Sequence, residues 1–324
     1  MDDNRALNNR EFPTFDAELR PHTQAAAPAS VAVLMTCHNR CALTLACLAS
    51  LREQVNFDAA NLFLVDDGSS DGTGAAVRAV FPAAQVIEGD GSLFWNGGMR
   101  LAWDRAMASD RNFDFYFWLN DDVELYPGTL NLLLTEADGA VPRGGAVIVA
   151  AATQEPGSTV ITYGGQRRPD PVRRPLRMQL LQPAGEPLVV DTISGNVVLV
   201  SAAVTDRLGN LSPVFEHIFG DLDYGLRAAA AKVPVLLSSR TGGSCAANEV
   251  RGGSLDPHLS RWQRLRLRWS EDQRVHARDW RRFVALHGRG RASALLHRIS
   301  PYARLLFDRP RRSSFSIAFV KQQP

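Results

Sequence analysis

Two short acidic motifs in this sequence carry side chains that could hold a cation and a phosphorylated ligand. Asp121 and Asp122 stand side by side directly after the apolar run 113–119. Adjacent carboxylates repel each other unless a cation neutralises them. Hard oxygen ligands with few protein contributors suit Mg²⁺ or Mn²⁺ bound jointly with a diphosphate. The pair therefore predicts a divalent metal site with Asp122 as the ligand, the alternative being a solvated Asx turn.

The second motif is the polar loop 66–73, which reads DDGSSDGT. Its two leading carboxylates can accept hydrogen bonds from a base N–H and from ribose hydroxyls, and Gly68 permits close backbone approach. If Asp67 accepts the N3 hydrogen of uracil or thymine, the loop favours a pyrimidine nucleotide. Aspartate, glycine and serine are also common turn and cap residues, so a single loop of this kind is equally compatible with a structural role.

These motifs need a scaffold that brings them together, and the hydrophobic pattern indicates one. Short apolar runs alternate with helix-like segments, which predicts an α/β fold with a mostly parallel sheet and helices on both faces. The predicted strands are 31–36, 62–65, 85–87, 113–119 and 146–150, and helices are expected over 41–53 and 98–108 and from Asp71 and Pro127. Ligands of such sheets lie beyond the carboxyl ends of the strands. That rule selects the segments 36–40, 66–73, 89–98 and 120–122.

Taken in order, these segments resemble a known family. A strand followed by HNR, a strand followed by DDGSSDGT and a strand followed by LNDDV resemble the family 2 glycosyltransferases with the GT-A fold, over about residues 31–240. The stretch GSLFWNGGMRLAW resembles the rhamnosyltransferase-like branch. The resemblance implies a nucleotide-sugar pocket formed by Thr36, His38, Asn39, Arg40, Asp67, Gly68, Ser69, Trp95, Gly97, Gly98, Arg100 and Asp121. A plain helix start with a hydrophobic staple also explains the glycine pair.

The resemblance further implies a catalytic base. Family members open a helix with a Glu-Asp pair that supplies the base for the acceptor proton, and here the pair reads Gly220-Asp221. The glutamate is missing and the aspartate remains. Asp221 is therefore the predicted base, with Asp223 as the alternative. The acceptor side is predicted to comprise Gly195, Asn196, Glu216 and His217.

Together these parts imply an inverting, metal-dependent glycosyltransferase. The donor would be a UDP- or dTDP-sugar, with dTDP-rhamnose preferred, and the acceptor a hydroxyl of a glycan or lipid-linked acceptor in cell-surface polysaccharide synthesis. Such a reaction needs a base on one side and charge neutralisation on the other. One alternative is a non-catalytic glycan-assembly or membrane scaffold protein that retains the fold. Another is a sugar nucleotidyltransferase, which should show a glycine-rich loop where the sequence has TCHNR.

Charge is unevenly distributed along the chain. Lys and Arg number 36 against 34 Asp and Glu, yet fifteen arginines and four acids lie between Arg261 and Arg312. The chain thus has an acidic catalytic half and a basic tail. Tryptophans and leucines at helical spacing predict tail helices that either pack on the catalytic domain or rest on an anionic membrane. The arginine-rich stretch 169–177 is a further candidate for binding an acceptor pyrophosphate. No nucleic-acid-binding module is recognisable, so nucleic acid is not expected as a partner.

Four segments are expected along the chain. They are a loosely attached segment 1–29, a GT-A domain 30–240, a flexible loop 241–258 and a helical basic extension 259–324. The first residues lack a signal pattern and no run has about 18 apolar residues, which favours a cytoplasmic location with peripheral contact at the inner face of the membrane. The four cysteines are expected to be reduced core thiols. These patterns predict no oligomeric state.

Overall fold

The computed structural model describes most of the central part of the chain. The described residues are 28–55, 57–247, 258–268, 271–288, 290 and 295. The strands are β1 (Val31–Cys37), β2 (Leu62–Asp66), β3 (Gln85–Glu88), β4 (Phe115–Leu119), β5 (Glu124–Leu125), β6 (Ile148–Gln154), β7 (Ile161–Tyr163), β8 (Gly165–Arg167), β9 (Gln179–Leu180), β10 (Leu188–Val189), β11 (Thr192–Ile193), β12 (Val197–Ser201) and β13 (Val235–Ser244). The helices are α1 (Cys41–Arg52), α2 (Thr73–Val80), α3 (Phe94–Met107), α4 (Thr129–Ala140), α5 (Ala202–Leu208), α6 (Gly220–Ala230), α7 (Arg261–Arg268) and α8 (Glu271–His287).

One large sheet organises the molecule. Its strand order is β10-β13-β6-β12-β4-β1-β2-β3, with β5 paired to β13 and β7 to β6. Strands β1, β2, β3, β4, β6 and β13 run in the same direction, while β12 is antiparallel to both of its neighbours. Strands β8, β9 and β11 form a second, small antiparallel sheet. The predicted α/β class with a mostly parallel sheet is confirmed.

Both faces of the sheet are covered, which explains why its strands are continuously apolar. Alternate residues of β1 enter different cores because successive side chains of a strand point to opposite faces. Val31, Val33 and Met35 pack with side chains of α1, α2 and α4. Ala32 and Leu34 pack on the other side with side chains of α3, α5 and α6. The β1 run thus needs no polar face.

Several element boundaries differ from the sequence-based expectation; strand β6, for example, extends to Gln154, past the predicted end at residue 150. Helix α3 begins at Phe94, four residues before the predicted start at Gly98. Residues 241–244, expected at the start of the flexible loop 241–258, instead belong to β13. A Cβ on Gly243 would lie 2.5 Å from the carbonyl oxygen of Glu124, so its glycine serves close strand pairing with β5. Residues 248–257 of the expected loop lie outside the described residues, as do 1–27 of the expected N-terminal segment.

The tail helices differ in how they contact the rest of the chain. Phe283 and Val284 of α8 are buried in a third core with Leu176, Phe215, Phe219 and Leu226. On α7, by contrast, Trp262 is 78% exposed. One of the two expectations for the tail was packing on the catalytic domain, and α8 packs in this way. Among the described helices, none is both long and apolar enough to cross a membrane.

The four cysteines are unpaired, as predicted. Cys37, Cys47 and Cys245 are buried and Cys41 is partly exposed. Burial raises the pKa of the Cys37 and Cys245 thiols far above their ordinary value. These two are therefore protonated at neutral pH.

Candidate active site at the carboxyl ends of the strands

The acidic pair after β4 is bridged by an arginine from the neighbouring strand. Arg40, three residues beyond β1, places Nη1 2.8 Å from Asp122 Oδ2 and 3.3 Å from Asp121 Oδ1. Strands β1 and β4 are adjacent and parallel, so the segments that follow them emerge side by side. The mutual repulsion of the two carboxylates is thus relieved by a guanidinium from the HNR motif.

The environment of Asp121 is suited to a further positive ligand. Its side chain is buried, and burial raises its pKa to about 7, with Arg40 opposing this effect and Asp122 adding to it. The Oδ2 atom of Asp121 is buried without a hydrogen-bond partner. Within the described residues, no group of three or more His, Cys, Asp or Glu could hold a metal ion. Two adjacent carboxylates with an unpartnered oxygen could supply oxygen ligands to a divalent cation.

Asp67 connects two of the segments that follow the strands. Its carboxylate accepts hydrogen bonds from the backbone N–H of Gly91 and of Phe94, both at 2.9 Å. The second of these bonds holds the first residue of α3, which accounts for the early start of that helix. A Cβ on Gly68 would lie 2.9 Å from the nitrogen of Gly91, and its φ of 71° is left-handed, so both space and conformation require glycine. Each Asp67 oxygen keeps a lone pair for a ligand donor.

The HNR segment is tied to the DDGSSDGT loop by a set of short hydrogen bonds. Asn39 has a left-handed φ of 50°, its N–H donates to Ser69 Oγ at 2.9 Å, and its side-chain oxygen accepts from the N–H of Ser70 at 2.7 Å. Nδ1 of His38 lies 2.6 Å from the carbonyl oxygen of Asp67. His38 and Asn39 thus shape the loop that would surround a nucleotide.

Trp95 lies between the two acidic regions. Its Nε1 donates to the side-chain oxygen of Asn120 at 2.7 Å. A Cβ on Gly195 would lie 2.5 Å from the Trp95 ring and 3.3 Å from Cβ of Asp221, so only glycine leaves room for the indole. On α3, the helix that carries Trp95, a Cβ on Gly98 would lie 2.1 Å from Thr36 Oγ1. Glycine at this position therefore lets α3 pack against β1. The predicted Trp95 therefore forms a wall of the site.

Asp221 stands at the start of α6, beside the Gly195 backbone. Its Oδ2 accepts the N–H of Gly195 at 2.9 Å and its Oδ1 accepts the N–H of Leu222 at 2.7 Å. Burial raises the pKa of Asp221 above its ordinary value, although these backbone hydrogen bonds oppose the shift. A carboxylate with a raised pKa is a stronger proton acceptor, which is the property that a general base needs.

The structure also explains why Gly220 stands where the family pattern has glutamate. A Cβ at this position would lie 1.9 Å from Oδ1 of Asn96. The Asn96 amide is fixed there because its Nδ2 donates to the carbonyls of Phe215 and Ser212, at 2.7 and 3.1 Å. A side chain at position 220 would therefore clash with the Asn96 amide unless that amide moved and gave up these hydrogen bonds.

Three predicted site residues are engaged in contacts of their own. Asp223 is 2% exposed and bridges Arg227 and His287, each at 2.8 Å. Arg100 donates to the carbonyl of Leu211 at 3.0 Å. Glu216 pairs with arginines of α8. Asp221, unlike Asp223, has no cationic partner among the described residues, which favours it as the base.

Of the remaining predicted residues, Gly97 packs on Leu93, and Asn196 is paired through its carbonyl with the N–H of Asn120 at 3.0 Å. The ring of His217 lies 5.5 Å from that of Phe94.

Sequence reasoning gave no individual role to three residues that support the site. Asn120 lies within the selected segment 120–122, and its place directly after a buried strand is the signal that selected it. Asn96 and Asp279, which accepts hydrogen bonds from the segment before α6, carry no local signal. Their roles arise from contacts with residues far away in the chain.

Comparison with known proteins gives a family match and distant structural similarities. The model of "Glycosyl transferase family 2" matches residues 32–198. No curated protein sequence matches the chain. A mannosyltransferase from Pyrobaculum calidifontis, solved with GDP-Man and Mn²⁺, is 16% identical, with TM-score 0.47 and coverage of 86% of this chain and 69% of that one.

Two structures of TarS residues 1–349 from S. aureus are similarly distant. The first is 11% identical, with TM-score 0.49, and covers 86% of this chain and 81% of that one. The second, in complex with UDP, is 13% identical, with TM-score 0.48 and coverage of 79% and 72%. At such identities and TM-scores, the ligands of these proteins do not carry over to the present chain.

Proposed function

The chain belongs to glycosyl transferase family 2, and on that premise we propose that it is an inverting enzyme that moves a sugar from a pyrimidine nucleoside diphosphate to an acceptor hydroxyl. The observation that carries the proposal is the juxtaposition of two kinds of carboxylate at one end of the sheet. Asp121 and Asp122 lie on one side of Trp95, and Asp221 lies on the other beside Gly195. Transfer needs charge neutralisation at the leaving diphosphate and a base at the acceptor, and the site offers both.

On the base side, Asp221 accepts the proton of the attacking hydroxyl. The N–H groups of Gly195 and Leu222 fix the orientation of its carboxylate. Its raised pKa favours proton uptake as the new glycosidic bond forms. A base on the face opposite the leaving group gives inversion at the anomeric carbon.

On the leaving-group side, Asp122 and Asp121 would hold a divalent cation, Mg²⁺ or Mn²⁺, at the diphosphate of the donor. When bound, such a cation acts as a Lewis acid that neutralises charge developing on the leaving phosphate. Arg40, already paired with both carboxylates, is the protein's own cation at this position. It stabilises the acidic pair.

The donor nucleotide is proposed to be UDP or dTDP. Asp67 and the loop around Gly68 and Ser69 support a base-binding role, because this loop stands at the same strand end as the acidic pair. Rhamnose from dTDP-rhamnose is the preferred sugar, a proposal that rests on the resemblance of GSLFWNGGMRLAW to the rhamnosyltransferase-like branch.

The acceptor is proposed to be a glycan or lipid-linked hydroxyl in cell-surface polysaccharide synthesis. The arginines of α7 and the exposed Trp262 support a peripheral contact with an anionic membrane, where each basic residue near the surface adds about 1 kcal/mol.

Nucleotide binding followed by transfer assays tests this proposal. Calorimetry with UDP, dTDP, GDP and CDP, each with Mn²⁺ and with EDTA, should show metal-dependent binding of UDP or dTDP. The corresponding nucleotide sugars are then assayed with synthetic acceptors, and the anomeric configuration of the product is read by NMR. Absence of metal-dependent binding of all four nucleotides would contradict the proposal and favour a scaffold role.

A further inference from the structure

Helix α8 contacts the segment that leads into α6. This contact lies outside the proposed metal and base positions. We propose that Asp279 on α8 is a positioning residue for the transfer reaction, because it holds the turn 216–218 between the base and the Trp95 wall. The inference depends on the proposed function, since the reaction it serves is that transfer.

The first observation is the environment of the Asp279 carboxylate. The side chain is fully buried and accepts hydrogen bonds from three consecutive backbone N–H groups. Its Oδ2 lies 2.8 Å from the nitrogen of His217 and 3.1 Å from that of Ile218, and both of its oxygens lie 3.1 Å from the nitrogen of Glu216. Hydrogen bonds to an ionised acceptor are about twice as strong as neutral ones. A buried carboxylate with this many donors fixes the turn relative to α8.

Further contacts with α8 lie on either side of these hydrogen bonds. Glu216 pairs with Arg278 at 2.6 Å and with Arg282 at 2.9 Å. The ring of Phe219 stacks on that of Phe283 with centroids 4.8 Å apart. Phe219 has a left-handed φ of 71°, an uncommon conformation for a residue with a side chain. Packing against α8 stabilises that conformation immediately before the first residue of α6.

The turn adjoins both walls of the site. In one direction along the chain, Phe219 is followed by Gly220 and the base Asp221. In the other, the ring of His217 lies 5.5 Å from that of Phe94, and its Nδ1 is 3.5 Å from the nitrogen of Trp95. A shift of the turn would therefore displace the base relative to the Trp95 wall. Misplacement of reacting groups by about 1 Å can lower a rate about 100-fold.

The segment that contains the turn has few anchors of its own. Residues 209–219 form neither helix nor strand. Asn96 holds the carbonyl of Phe215 from the α3 side, and Asp279 holds the next three residues from the α8 side. The position of the turn is consequently set by side chains from two helices that are distant in sequence.

The test compares Asp279→Asn with Arg281→Gln in the full-length protein. Asparagine keeps the shape of the side chain but loses the charge and turns an N–H₂ group toward backbone donors. Arg281 lies exposed on the same helix and donates to the carbonyl of Ala277, so its variant is the matched control. Steady-state kinetics, calorimetric titration with the donor nucleotide and hydrogen–deuterium exchange of the peptide 215–223 are measured for each.

For Asp279→Asn we expect kcat to fall about 10- to 100-fold, while donor Kd and binding stoichiometry stay within twofold of wild type. Exchange at residues 216–218 should become faster. Arg281→Gln should match wild type in all measurements. Normal kcat in Asp279→Asn overturns the proposal. A fall in kcat without faster exchange at residues 216–218 also overturns it. Parallel loss of kcat and donor-binding stoichiometry reports unfolded protein, and the second variant then decides.

A second variant keeps the test decisive if Asp279→Asn does not fold. Arg282→Gln removes the surface-exposed arginine that contacts both Glu216 and Asp279, at 2.9 and 3.3 Å. It should lower kcat by a smaller factor, about threefold to tenfold, with unchanged donor Kd. Unchanged kcat here would contradict the proposal. If wild-type protein transfers no sugar from any donor, the proposed function itself fails. If wild-type protein is active and the variant is unaffected, only the role of Asp279 fails.

Discussion

The two acidic regions of the site neutralise their carboxylates in different ways. After β4, Asp121 and Asp122 share the guanidinium of Arg40, and one oxygen of Asp121 is left without a partner. At the start of α6, Asp221 is held by backbone N–H groups, while Asp223 lies between the side chains of Arg227 and His287.

This difference separates the expected chemistry of the two regions. A carboxylate pair that needs a cation can bind a further cation or exchange one cation for another. This property suits a site for a metal and a diphosphate. A carboxylate held by neutral donors keeps its charge available for a proton, which suits a base. The carboxylates of the two regions are thus expected to take different roles, according to the groups that surround them.

The largest effect is expected from removing the base. Asp221→Asn should lower kcat about 10²- to 10⁴-fold, because asparagine cannot accept the acceptor proton, while donor affinity stays within twofold. Transfer assays and calorimetry measure the two quantities. Asp206→Asn, an exposed carboxylate on α5, is the control. Full activity in Asp221→Asn would show that the base lies elsewhere.

A smaller effect is expected from removing Asp122 in the region after β4. Asp122→Ala should weaken nucleotide binding in the presence of Mn²⁺ about 10- to 100-fold and leave binding in EDTA nearly unchanged, because the aspartate is proposed to bind the cation. Titration calorimetry under both conditions checks this, with the exposed Asp138→Ala as control. Equal weakening with and without metal would indicate that Asp122 contacts the nucleotide directly.

Within the second region, Asp223 should behave differently from Asp221. Asp223→Asn removes a buried charge from between Arg227 and His287, so the free energy of unfolding should fall by about 1–3 kcal/mol. The kcat of the folded protein should change less than threefold. Denaturant unfolding and kinetics test both statements, and a loss of kcat as large as that of Asp221→Asn would reverse the assignment.

The smallest effect concerns pH and stability in the first region. The folded-state pKa of Asp121 is about 7, above its ordinary value of 3.8, so its stabilising contribution is present at low pH and is lost as pH rises through 7. In EDTA, Asp121→Asn should therefore raise Tm relative to wild type more at pH 8 than at pH 5. Thermal unfolding at both values measures the difference. A constant difference would mean that Asp121 is already ionised at pH 5.

The two regions were not equally predictable from sequence. The acidic pair, the HNR segment and the DDGSSDGT loop follow buried strands, and the apolar runs locate those strands within a few residues. The α6 region was predicted from family resemblance alone, with two aspartates left as candidates. The choice between them required the partners of Asp223, which come from α6 itself and from α8.

Sequence by itself determined the class of fold, the order of the main strands and helices up to about residue 150, and the strand-end segments that meet at one edge. These depend on hydrophobic patterns and turn residues, which are local properties of the chain. Only the tertiary structure revealed the bridge from Arg40, the exclusion of a side chain at Gly220 by Asn96, and the anchoring of the 216–218 turn by Asp279. Each is a contact between residues 61 or more positions apart in the chain, and no local pattern encodes such contacts.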